Sequence, residues 1–135
     1  METPTSVLDA SALLAYLNDE AGADLVEDAL LRGSAISAVN LAEVLGKLAE
    51  AGEDPQDVSD SLKRKGLLGG KLVVSPLGAD DAVRTARLQR HTKAQGLSLG
   101  DRACLGLALR LRLPALTADR AWSRLKVAVK IEAIR

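Results

Sequence analysis

Four acidic residues, Asp9, Glu43, Asp101 and Asp119, occupy positions from which a carboxylate can do more than face solvent. Asp9 closes the apolar run Ser6-Val7-Leu8, and Asp119 lies two residues past Ala115-Leu116-Thr117. Glu43 follows Asn40 by three residues and Asp101 follows Ser98 by three, the spacing of a helix cap and its reciprocal carboxylate. Taken singly, Glu43 and Asp101 suit capping, which stabilises a helix by about 0.3–1 kcal/mol, and Asp9 and Asp119 suit turns. Taken together on one rim they would repel each other, and their burial is costly without a cation. Hard oxygen ligands with neither histidine nor thiolate among them suit magnesium, with manganese as the alternative. Such an ion keeps open water positions that a substrate can share, so the site indicated is one built for phosphate oxygens.

The elements that would bring these side chains together are legible in the spacing. Ser98 opens a helix from about Leu99 to Arg112 that is apolar on most of its circumference and therefore buried on most sides. Pro114 stops it, and Ala115 to Thr117 reads as a strand. Upstream, the order is strand at Ser6 to Leu8, a helix carrying Leu13, Leu14 and Leu17, and a second helix from about Ala23 to Arg32. A short strand at Ala35 to Ser37 precedes a helix that Asn40 is expected to cap, with Glu43 in its first turn. Asp54-Pro55 opens a helix to about Lys65, and Lys71 to Val74 reads as a strand. Asp80-Asp81 begins a polar helix that Gly96 ends, and a short helical turn spans Asp119 to Leu125. The alternation of Val127, Val129, Ile131 and Ala133 predicts a final strand. Strands alternating with helices imply a three-layer α/β domain around a mainly parallel sheet. In such a sheet the carboxyl ends of the strands and the amino ends of the following helices share one rim, where ligands bind.

Composition bounds the reading. At 135 residues the chain is expected to form one domain, and its core must come from Leu, Val, Ile and Ala, because Phe is absent. Eighteen basic residues balance eighteen acidic ones, so no global field draws the chain to nucleic acid or membrane. One cysteine, Cys104, excludes an internal disulfide and a cysteine-based zinc site, and its place in the apolar helix marks it as a small hydrophobe. His91 reads as a surface residue and Trp122 as a packing residue. The start Met-Glu-Thr-Pro-Thr lacks the features of a signal peptide, and no apolar run nears the roughly 20 residues that span a bilayer. A cytoplasmic protein is the expectation.

Val-Leu-Asp9-Ala-Ser-Ala-Leu-Leu, Asn40-Leu-Ala-Glu43-Val, Leu-Ser-Leu-Gly-Asp101-Arg-Ala-Cys-Leu and Leu-Thr117-Ala-Asp119-Arg-Ala-Trp resemble the four motif blocks of the PIN-domain family. Within it they are most similar to the VapC-type toxin ribonucleases of bacterial toxin–antitoxin pairs. The resemblance runs from Val7 to Ile134 and implies a five-stranded parallel sheet in the order 3-2-1-4-5. It implies that Asp9, Glu43, Asp101 and Asp119 hold magnesium and support hydrolysis of RNA, leaving a 5′-phosphate and a 3′-hydroxyl. Asp9 and Asp101 match the positions most directly assigned to the metal, with Ser11 and Thr117 in support. It also implies a VapB-type antitoxin and a homodimer. Arg102 and Arg120, each following a catalytic aspartate, are candidates for contact with the RNA backbone. The leucine-rich faces of the first two helices, through Leu13, Leu14, Leu17, Val26 and Leu30, are a candidate groove for a partner helix. The alternative function is a non-catalytic PIN scaffold that binds RNA or protein.

Overall fold

In a computed structural model, which describes residues 3–135, the chain winds five strands and six α-helices into three layers. Met1 and Glu2, on which the reading of the chain's start partly rests, lie outside the described residues. The elements are β1 (Ser6–Leu8), α1 (Ala10–Leu17), α2 (Ala23–Arg32), β2 (Ser34–Ser37), α3 (Ala38–Glu50), α4 (Pro55–Arg64), β3 (Leu72–Ser75), α5 (Ala79–Thr92), α6 (Leu99–Leu111), β4 (Ala115–Thr117) and β5 (Ile131–Ala133). The sheet order is β3-β2-β1-β4-β5 and every pairing is parallel, which bears out the expected order.

Consecutive strand residues point to opposite faces, and each face has its own core. Leu8, Ile36 and Leu116 pack with α1, α2, α3 and α4 through residues such as Leu13, Val26, Val44 and Leu62. Val7, Ala35 and Ala115 face the other way, onto Leu88 of α5, Cys104, Leu105 and Leu107 of α6, and Trp122. The central strands are therefore apolar on both faces, as a covered parallel sheet requires. Small residues set the closest approaches. Gly22, at φ +95°, precedes α2 where a Cβ would lie 2.6 Å from the carbonyl oxygen of Ile134, so neither the backbone angle nor the space admits a side chain.

Two expectations shift. Asn40 does not cap α3; the Ser37 hydroxyl accepts from the Val39 amide at 3.2 Å and starts the helix three residues earlier. Glu43 consequently sits in the second turn rather than the first. The final strand is also shorter than its alternation suggests. Its ladder partner β4 offers three residues, Ala115 to Thr117, so only Ile131 to Ala133 pair with it. Val127 and Val129 pack half-buried against the Trp122 cluster without joining the sheet.

Candidate metal centre

Asp9 is the most constrained of the four carboxylates. It is 4% exposed, directly after the central strand, and caps α1 by accepting from the Ala12 amide at 2.8 Å. The Ser11 hydroxyl donates to it at 2.7 Å, and the Thr117 hydroxyl of β4 donates at 2.6 Å. Thr117 in turn accepts from the Asp119 amide at 3.0 Å, and Ser11 accepts from the Ala118 amide at 2.9 Å. The two hydroxyls thus stitch the ends of β1 and β4 together around one carboxylate. Burial pushes the Asp9 carboxyl above its usual range; bonds from Thr117, Ala12 and Ser11 pull it down, and the nearby charge of Asp101 pushes it up again.

Asp101 lies in the first turn of α6, where Ser98 and Asp101 exchange reciprocal bonds of 3.1 Å, as the spacing predicts. Glu43 reaches the same helix from α3, its carboxylate against Gly100 so closely that a Cβ there would lie 2.6 Å from Oε2. Cys104, one turn further along α6, is fully buried. Burial raises its thiol well above the usual range, and the fields of Asp9, Asp101 and Glu43 add to the rise. The thiol is therefore inert. Asp119 is exposed and caps the short 3₁₀ turn Arg120–Arg124, accepting from the Ala121 amide at 2.9 Å.

Among the described residues, no salt bridge reaches any of these four carboxylates. Nor do three His, Cys, Asp or Glu side chains stand close enough together, as placed, to hold a metal ion. Asp101 and Asp119 are turned onto their helix caps, each through one oxygen, so recruiting either to an ion means sharing or releasing one N–H bond. That costs about 0.5–1.5 kcal/mol apiece. The donor set itself, carboxylate and hydroxyl oxygens with an excess of negative charge and no cation, fits magnesium or manganese.

The other predicted residues divide. Arg102 is half-buried on α6, and Arg120 is exposed with its Nε donating to the Arg135 carbonyl at 2.8 Å. His91 is exposed and Trp122 buried, as expected. Of the residues named for a groove, Leu13, Val26 and Leu30 are buried in the core, where α1 and α2 cover the sheet, while Leu14 and Leu17 are half-exposed and line clefts at the surface. Asn40 was assigned only a cap; it is buried, and its Nδ2 donates to Glu43 and to the Gly100 carbonyl. Its spacing from Glu43, one helical turn, was the available signal.

The PIN domain family model matches residues 6–128. The chain belongs to the PIN domain family. Solved structures sharing this PIN fold include a toxin–antitoxin complex from Klebsiella pneumoniae, at 18% identity and a TM-score of 0.73 over 96% of this chain and 98% of that one. VapBC-5 from Mycobacterium tuberculosis is 24% identical, with a TM-score of 0.61 over 98% and 99% of the two chains. VapC20 from the same organism, described as a Sarcin-Ricin loop cleaving toxin, aligns at 14% identity and a TM-score of 0.69 over 93% and 98%. No curated protein sequence matches the chain. Among the described residues, no helix is long and apolar enough to cross a membrane.

Proposed function

We propose that this PIN-domain chain is a magnesium-dependent endoribonuclease and the toxin of a type II toxin–antitoxin pair, held off by a VapB-type antitoxin. One observation carries the reading. Asp9 is a buried carboxylate beside a second carboxylate, Asp101, and neither has a cationic partner among the described residues. A buried carboxylate with a second negative charge nearby and no cation to offset it is unfavourable in a structural role and suited to holding a divalent ion. The likeness to VapBC complexes and to an RNA-cleaving toxin supports the same reading.

In this mechanism Asp9, Asp101 and Glu43 would hold the ion, and Asp119 would orient water at the scissile phosphate. When bound, the ion lowers the pKa of water and offsets charge developing on the phosphate. Thr117 and Ser11 keep the Asp9 carboxylate oriented, in the way that outer hydrogen bonds fix a ligand. Arg102, on the turn of α6 next to Asp101, is the cation that meets the RNA backbone; Arg120 is the second. A homodimer is the expected assembly.

The test is cleavage of total cellular RNA with magnesium, with EDTA, and with Asp9→Asn. The nuclease reading predicts cuts in the first condition alone. The capping postures of Asp101 and Asp119 favour one competing reading, a non-catalytic scaffold. RNA bound equally well in all three conditions and left intact would establish that instead.

A further inference from the structure

Asn40 is 1% exposed, and its side-chain amide is an unusual choice for a core position. Nδ2 donates at 2.9 Å to Glu43 Oε1, one turn along the same helix, and at 2.9 Å to the Gly100 carbonyl of α6. Both partners are acceptors, so the amide nitrogen must face them. The other end, Oδ1, is buried without a hydrogen-bond partner among the described residues. An orphaned buried acceptor destabilises a fold, so packing alone does not explain this residue.

What the nitrogen does is confine Glu43. Its carboxylate is pinned between the Asn40 amide and the bare Cα of Gly100, where any side chain would collide with it. Glu43 is otherwise exposed and free to occupy many rotamers. The pinned carboxylate lies over the residue that precedes Asp101. We infer that Asn40 is a positioning residue, and Gly100 its counterpart, which together hold Glu43 where it and Asp101 present oxygens to the same divalent ion. The inference rests on the metal-dependent reading above.

The test uses the full chain and manganese as the probe, with affinity read by electron paramagnetic resonance and RNA cleavage read separately. Asn40→Ala should weaken manganese binding about tenfold, the range for residues that orient a metal ligand. In a Glu43→Gln background the same substitution should weaken it no further, because Asn40 acts only through Glu43. Gly100→Ala attacks the carboxylate from its other side and should reproduce the loss, which keeps the inference testable if Asn40→Ala does not fold. Unchanged affinity in a folded Asn40→Ala protein, or an equal added loss in the Glu43→Gln background, would overturn the positioning role while leaving the nuclease reading intact. Failure of the wild type to bind manganese, or of Asp9→Asn to weaken it, would overturn the nuclease reading itself.

Discussion

Two aspartates at helix starts, Asp81 and Asp9, live in opposite surroundings. Asp81, in the first turn of α5, accepts from the Gly78 amide at 3.0 Å, and Arg110 and Arg84 pair with it at 2.9 and 3.2 Å. The Gly78 bond, then the two guanidinium groups, hold its carboxyl below the usual range although it keeps contact with solvent. Asp9 receives only neutral donors, and burial, with the charge of Asp101 adding to it, holds its carboxyl above that range. The first is how a fold secures an acid it uses for structure. The second is an acid left without a counter-charge, the kind of environment that marks a candidate functional carboxylate.

The contrast breaks most sharply on activity. Asp9→Asn should lower RNA cleavage by more than about a hundredfold, beyond the 10–100-fold typical of residues that only orient a ligand. Equal cleavage by variant and wild type would dissolve the distinction between the two corners. Thr117→Val keeps the shape of β4 but removes the hydroxyl that donates to Asp9 and accepts from Asp119. A loss of about tenfold in cleavage is expected, with cooperative unfolding retained, and an unchanged rate would show that the hydroxyl plays no orienting part.

Thermal melts against pH sharpen the comparison through its sign. Because the folded carboxyl of Asp9 lies above its ordinary 3.8, ionising it costs stability as pH rises through that window. Metal-free Asp9→Asn should therefore melt above the wild type at pH 7, with the gap closing toward pH 4. Magnesium should raise the wild-type midpoint and leave the variant's unmoved. Asp81 runs the other way: its contribution is present above 3.8 and is lost as pH falls through its lower folded value. The smallest effect is expected for Asp81→Ala, about 1 kcal/mol of stability by urea denaturation with cleavage unchanged. A drop in cleavage there would place Asp81 in the active machinery.

Much of this architecture was legible because local chemistry and tertiary demand agree. Asp54-Pro55 and Ser98 with Asp101 mark helix starts that the fold uses unchanged. The parallel order 3-2-1-4-5 entered through family resemblance, and the strand count was consistent with it. Reading failed where one residue had two eligible neighbours. Ser37 ends β2 and also caps α3, so assigning it to the strand left Asn40 as the apparent cap and hid its amide's real partners. The tail failed differently: alternation reports which side of the chain is apolar, whereas strand length is fixed by the partner, and β4 is three residues long. Leucines at helical spacing on α1 and α2 signal an apolar face, yet only the fold decides whether the sheet or a visitor covers it.

The Thr117 hydroxyl that completes the Asp9 pocket comes from 108 residues later in the chain. While a ribosome is building the protein, the first strand and its aspartate emerge early and must wait for nearly all the rest before the pocket can close. A pocket assembled this way stays incomplete for most of the chain's own synthesis, and closes only as the last elements fold into place.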